Sequence, residues 1–181
     1  YGSRKDFYIN VSRLDYQEEF NKLNRKLLED QIISAANSLN LSEQSFSYFN
    51  YQLMLQLWTI EAVYQKFSQA ELSLQNPLNE GSDEEIHQEK LHIGEIKAFY
   101  RNKKDEKPYL LEIPVNLTLY GNLKQIQNFC QKLQDKDTFL GLRNFSLTAL
   151  PPTDLAVDDE NLLQNGILRL EISCSGFYSY N

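Results

Sequence analysis

The sequence predicts an α+β fold in the order α-β-β-α-β-β, behind an additional N-terminal helix. Two segments, 109–120 and 168–175, alternate apolar and polar residues with a period of two, which is typical of strands with one buried face. A short amphipathic helix follows the first of these strands, and a longer apolar helix precedes both.

Two α-β-β units side by side form a four-stranded antiparallel sheet with two helices on one face. This arrangement is a ferredoxin-like domain whose elements are circularly shifted. We expect residues 1–42 to form an N-terminal helix that is the end of a coiled coil, and residues 43–181 to form the ferredoxin-like domain.

The N-terminal helix is predicted over 13–37. Its apolar residues recur at intervals of four, three and four along one seam: Tyr16, Phe20, Leu23 and Leu27. Asp30 and Ser34 occupy the next two seam positions and weaken the pattern. Two interpretations remain open, the last heptads of a coiled coil and an ordinary helix docked on the core.

A second helix is predicted from Glu43 to about Ser68, with Ser42 as its N-cap. Its apolar stripe is wide and contains Phe46, Phe49, Leu53, Met54, Leu57, Trp58, Ile60, Val63, Tyr64 and Phe67. So wide a stripe is typical of a helix that packs on a sheet and also on a partner.

The first strands are predicted at 70–74 and 91–100, with a charged turn at 101–107. The long strand 109–120 follows, and its inward residues are Leu111, Ile113, Val115, Leu117 and Leu119. Pro114 lacks a backbone donor, so we expect an edge position or a bulge there.

Gly121 ends this strand and Asn122 is placed to cap the short helix. The next strand, 139–149, is predicted to point Phe145, Leu147 and Ala149 into the core. In the last strand the predicted inward residues are Leu168, Leu170, Ile172 and Cys174.

Charge and composition exclude several classes of protein. The net charge of −7 and the pI of about 4.9 argue against a nucleic-acid phosphate backbone as partner. The basic run of Arg101, Lys103 and Lys104 is followed at once by two acidic residues and indicates a solvated turn. The acidic segment 79–89 indicates a loop, because its adjacent carboxylates do not converge as a metal requires.

No motif for catalysis, cofactor binding or a metal is present. The sequence lacks G-x-S-x-G and a Gly-rich phosphate turn, and both histidines, His87 and His92, lie near one loop. We therefore predict no catalytic, cofactor-binding or metal-ligating residue. Cys130 and Cys174 match no metal spacing, so they are either two buried thiols or one disulfide.

The segment IPVNLTLYGNLKQIQNFCQKL, with the later strands FSLTAL and LRLEISCSGFYSY, resembles the periplasmic domain of PilO-like proteins of type IV pilus assembly. The pattern joins an (L/I)PV-x-L-x-(L/V)-x-G strand to an L-x-x-Φ-x-x-F helix, where Φ is apolar. The matching residues are Ile113, Pro114, Val115, Leu117, Leu119, Gly121, Leu123, Ile126 and Phe129. GspM-like proteins of type II secretion are similar in outline.

The resemblance implies a non-enzymatic scaffold on the periplasmic side of the inner membrane. It implies homodimers, heterodimers with a PilN-like protein, and contact with a PilP-like lipoprotein. Since the chain begins at Tyr1 rather than Met, we expect a fragment whose single membrane anchor precedes it. The apolar helix faces would form the interface, with Tyr16, Phe20, Leu23, Leu27, Phe46 and Phe49.

Two other interpretations compete with the scaffold. A cytoplasmic ferredoxin-like module for ligand binding or regulation requires a concave apolar pocket. An RNA-processing enzyme on a similar fold requires a His or basic cluster near a Gly-rich loop, and the sequence shows none.

Overall fold

The computed structural model describes residues 12–29, 47–74, 91–104, 107–134, 140–150 and 166–179. These residues form a mixed α+β fold, as the sequence predicts. The elements in chain order are α1 (Arg13–Glu29), α2 (Ser47–Gln69), β1 (Leu91–Ile93), β2 (Lys97–Phe99), β3 (Leu110–Gly121), α3 (Leu123–Leu133), β4 (Leu140–Ala149) and β5 (Leu168–Ser179).

The five strands form one antiparallel sheet in the order β1-β3-β5-β4, with β2 also paired to β3. Strands β1 and β2 lie along the same side of β3: β1 pairs with its residues 115–117 and β2 with its residues 110–112. The sheet thus contains five strands where the sequence predicts four, because residues 94–96 interrupt one predicted strand. The predicted start of a strand at 70–74 is reduced to an isolated bridge between Ser73 and Tyr120.

Pro114 lies in the middle of the central strand β3, neither at an edge nor in a bulge. Its carbonyl accepts a hydrogen bond from the Gly94 N–H at 2.8 Å, at the break between β1 and β2. In an antiparallel ladder the N–H and C=O groups of one residue point to the same neighbour. Pro114 therefore faces the break between β1 and β2, where no strand residue needs the N–H donor that proline lacks.

The core lies between the helices and one face of the sheet. Alternate residues of β3 and β5 are buried there, among them Ile113, Leu119 and Leu170, with side chains of α2 and α3. Helix α3 begins at a complete capping box, because the Asn122 side chain accepts from the Gln125 N–H and the Gln125 side chain accepts from the Asn122 N–H. The predicted cap at Asn122 is confirmed.

Helix α1 packs on α2 and joins the same core. The seam of Tyr16, Phe20, Leu23 and Leu27 is buried, and Lys26 forms an ion pair with Glu61 of α2 at 3.2 Å. In this chain α1 is therefore a helix docked on its own core. The predicted start of α2, its cap Ser42 and the acidic segment 79–89 lie outside the described residues.

Candidate interaction surface

Strand β4 forms one edge of the sheet that the described residues build, and it carries an apolar face that the helices cover only in part. Phe145 is paired with Ile172 and Leu147 with Leu170, so both are on the apolar face of the sheet. They are nevertheless 46% and 39% exposed, and Leu142 is 51% exposed. The predicted inward direction of Phe145, Leu147 and Ala149 is confirmed by these pairings, since Ala149 is paired with the buried Leu168, but the three side chains are exposed rather than buried.

The cause lies in the reach of the helices. Helix α2 packs over the faces of β3 and β5, and α3, which has only 11 residues, contacts β4 without covering the length of that strand. The buried residues of α3 are Ile126, Phe129 and Leu133, and the core cluster that they join includes β3 and β5 but only Leu140 of β4. An exposed apolar patch of this kind indicates an interaction surface.

Residues 144–149, the C-terminal half of β4, also lack the features that usually protect an edge strand from pairing with another chain. Residues 144–149 read Asn-Phe-Ser-Leu-Thr-Ala and contain no charge and no proline. Natural edge strands are commonly blocked by lysine, proline, a bulge or short length. The one bulge of β4, between Leu142 and Asn144, precedes this segment and leaves it straight against β5.

The bulge places Arg143 on the opposite, polar face of the sheet. Its Nη2 donates to a carboxylate oxygen of Glu112 at 2.5 Å, and Ser175 Oγ donates to the other oxygen at 2.7 Å. The Glu112 side chain is 0% exposed, and its charge is compensated by these two donors, of which Arg143 remains partly open to solvent. The three residues join β3, β5 and β4 from the polar side.

A shallow groove of about 300 Å³ crosses the polar face next to this cluster. Its lining is mainly polar and includes His92, Asn116, Asn144, Glu171 and Ser173. The groove is open, and it is not the concave apolar pocket that a ligand-binding module of this fold requires.

The hairpin between β2 and β3 carries a second exposed surface. Phe99, Tyr100 and Tyr109 are exposed there, and the Arg101 guanidinium lies 5.7 Å from the centre of the Tyr109 ring. Lys103, Lys104 and Lys107 are exposed nearby. The described residues of this hairpin tip are basic and aromatic, and the acidic residues Asp105 and Glu106 belong to the same turn in the sequence.

Both cysteines are free thiols, so the structure favours the two-thiol interpretation over a disulfide. Cys174 is buried in the core, and burial raises the pKa of its thiol to about 12. Cys130 is partly exposed, and burial raises the pKa of its thiol as well.

Within the described ranges, no three His, Cys, Asp or Glu side chains converge as a metal site. In the same ranges, none of the helices has the length and apolar character needed to cross a membrane.

The predicted interface residues have three different outcomes. Tyr16, Phe20, Leu23 and Leu27 are together on one seam, but that seam is buried against the chain itself. Phe46 and the side chain of Phe49 lie outside the described residues. The surface that sequence reasoning missed is β4, and the signal for it was present in the uncharged run at 144–149.

The fold and this surface define a mixed α+β domain with an open, apolar sheet edge. No family model matches the sequence, and no curated protein matches it.

Solved structures are similar to this chain at low sequence identity. A structure of an Akkermansia muciniphila protein without its transmembrane region is similar over 99% of this chain and 99% of that chain, with 11% identity and a TM-score of 0.55. The core domain of a protein from the same organism is similar over 98% of this chain and 96% of that chain, with 10% identity and a TM-score of 0.56. At these identities the similarity shows a shared fold.

The type 4 fimbrial biogenesis protein PilO from Pseudomonas aeruginosa is also similar, with 12% identity and a TM-score of 0.37. The match covers 67% of this chain and 66% of that chain, just under two thirds of the pilus protein.

Proposed function

We propose that this chain is a non-enzymatic scaffold domain of the bacterial envelope, part of the inner-membrane assembly of a type IV pilus or a related secretion machine. The observation that carries the proposal is the open edge of β4, where an apolar face and an uncharged strand are both exposed. A scaffold acts through such surfaces, because its function is to hold partner subunits together.

Two further observations support this function. The strand-helix motif from Ile113 to Phe129 resembles PilO-like proteins, and the fold is shared over nearly its whole length with a protein that has a transmembrane region. We propose a similar arrangement here, with a membrane span upstream of Tyr1, the N-terminal segment 1–42 docked on the domain through α1, and residues 43–181 in the periplasm. A GspM-like component of type II secretion is the closest alternative.

We also infer that the domain is a circularly shifted ferredoxin-like fold. Taken together, β1 and β2 occupy one strand position, which gives the order α-β-β-α-β-β after α1. The sheet order β1-β3-β5-β4 places the last strand of the chain inside the sheet and β4 at its edge, as that shift requires.

The expected partners are a second copy, a PilN-like subunit and a PilP-like lipoprotein. Two surfaces are free to receive them, the β4 edge and the basic, aromatic hairpin tip around Tyr109. A partner that used the seam of Tyr16 and Leu27 would have to replace α2 in its contact with α1, since that seam is buried.

The test uses the full-length protein in its organism of origin, with an affinity tag. We expect it in the membrane fraction after washing with salt and carbonate, and we expect chemical cross-links to subunits of a pilus or secretion assembly. Recovery in the cytosol without membrane association would contradict the proposal and favour the cytoplasmic regulatory module.

A matched pair of variants identifies the surface involved. The double variant Phe145→Lys, Leu147→Lys places charge on the β4 edge, and we expect it to lose cross-links. Phe99→Lys changes an exposed aromatic residue on the opposite edge of the sheet, and we expect it to retain the cross-links of β4.

A further inference from the structure

We propose that strand β4 is a self-association surface, on which two copies of this chain pair antiparallel and join their sheets into one. The inference deepens the scaffold proposal, on which it rests, by naming a second copy as the occupant of the β4 edge.

The backbone of this segment presents its free groups on residues that also carry the apolar side chains. The Leu150 N–H donates to the Ile167 carbonyl at 3.0 Å, so Leu150 faces β5. Since successive residues of a strand alternate in direction, Ser146 also faces β5, whereas Phe145 and Leu147 direct their N–H and C=O groups to the open edge. Among the described strands, β4 pairs with β5 alone.

The side chains are self-complementary about a two-fold axis. Antiparallel pairing centred on Ser146 places Phe145 opposite Leu147 of the partner subunit, and the same contact is repeated by symmetry. Phe145 and Leu147 of each copy are on the apolar face, so the four side chains form one continuous cluster across the joint. The polar residues Asn144 and Thr148 face each other on the opposite side.

Charge favours this edge as the place where two copies meet. Each copy carries a net charge of −7, and like charges placed directly opposite each other destabilise a strand pair. Residues 144–149 bring no charge to the joint. The uncharged run ends at the bulge, where Arg143 is held by Glu112 on the polar face and does not face the edge.

The area of a single strand pair is below that of a standard interface, so we expect a weak dimer with a Kd of roughly micromolar order. The first measurement is sedimentation equilibrium of the purified chain from about 1 µM to about 200 µM. We expect the wild-type chain to dimerise, and the double variant Phe145→Lys, Leu147→Lys to dimerise at least about tenfold more weakly.

Two controls isolate the edge. Leu14→Lys should leave the dimer unchanged, because it places the same charge on an exposed residue of α1 that belongs to neither candidate surface. Mixing the double lysine variant with the variant Phe145→Glu, Leu147→Glu should restore a heterodimer, since each lysine then meets a glutamate. Because these side chains are exposed, the melting temperatures of the variants should match the wild type.

A disulfide cross-link between two copies tests the proposed strand pairing independently of the lysine variants. Two Ser146 residues meet at the proposed two-fold axis in a pair without hydrogen bonds, where the Cβ atoms are about 4.5–5.5 Å apart. In a Cys130→Ser background, Ser146→Cys should form a disulfide dimer under mild oxidation, and Thr148→Cys should not.

A wild-type chain that is monomeric over the whole concentration range would overturn the proposal. A dimer that survives both lysines and gives no cross-link through Ser146→Cys would overturn it equally. Neither result would change the membrane fractionation expected for the full-length protein. Failure of the dimer can therefore be told apart from failure of the scaffold function.

Discussion

The guanidinium of Arg143 on the edge strand β4 binds the buried carboxylate of Glu112 on β3, across the intervening strand β5, at 2.5 Å. Arg143 lies at the bulge of β4, between Leu142 on the core face and Asn144 on the polar face, and its side chain is on the polar face. The pair therefore joins the open edge to the centre of the sheet from the side opposite the core.

Removing Arg143 should destabilise the fold. Arg143→Met leaves the Glu112 carboxylate buried with Ser175 as its remaining donor, and we expect a loss of about 1–3 kcal/mol in the free energy of unfolding. Urea denaturation measures the loss. Arg169→Met breaks an exposed ion pair with Glu171 on the same face and should cost less than about 0.5 kcal/mol. If Arg143→Met and Arg169→Met lowered the free energy of unfolding equally, burial of the Glu112 carboxylate would not explain the importance of its ion pair.

The buried Tyr16 and the partly buried Tyr178 should respond differently to loss of the hydroxyl. The Tyr16 hydroxyl is buried without a hydrogen-bond partner in the described part of the chain, whereas the Tyr178 hydroxyl donates to Thr59 Oγ1 at 2.9 Å. We expect Tyr16→Phe to stabilise the fold or leave it unchanged, and Tyr178→Phe to destabilise it by about 1 kcal/mol. Thermal or urea unfolding of both variants tests this, and a strong loss for Tyr16→Phe would contradict it.

Helix α2 approaches the sheet closely at Gly176. A Cβ atom on Gly176 would lie 2.7 Å from Thr59 Oγ1 and 3.0 Å from its Cγ2, in the middle of the core interface. We expect Gly176→Ala to destabilise the fold by about 1–3 kcal/mol. Adding Thr59→Ala removes the obstructing atoms, so the double variant should lose less than the sum of the two single losses. Simple additivity of the measured losses would argue against this close approach.

The two thiols should differ in reactivity. At pH 8 we expect one fast reaction with a thiol reagent, at the partly exposed Cys130, and none at Cys174 until the protein unfolds. Cys130→Ser should abolish the fast phase. Because the folded pKa of Cys174 is raised from 9.0 to about 12, the unfolded chain loses this proton first, and stability should fall as the pH rises through that range. Absence of any reactive thiol in the unfolded protein would indicate a disulfide.

The sequence predicts most of the fold because its strongest signals are local. The alternation in β3, the break at Gly121 and the cap at Asn122 each appear in the structure at the predicted place. For Pro114 the sequence predicts an edge position or a bulge, because it shows that the backbone donor is missing but not which strand lies beside it. The structure places that missing donor at the break between β1 and β2.

The interaction surface was harder to predict, because period and apolar character do not show what covers a face. The seam of α1 and the apolar face of β4 have equally clear patterns. The seam is buried because α2 lies against it, whereas Phe145 and Leu147 stay largely exposed because α2 packs on β3 and β5 and the short helix α3 contacts β4 only in part. This difference is set by helix length and strand order, which are properties of the tertiary structure.

The claim that the β4 edge binds a partner is tested most directly by residue-resolved amide exchange at low and high protein concentration. The amides of Phe145 and Leu147 point to the open edge, and we expect their exchange to slow at least about tenfold at high concentration. The Ser146 amide, which faces β5, should be protected at both concentrations. Protection that does not change at Phe145 and Leu147, or that appears instead in α1, would contradict the account.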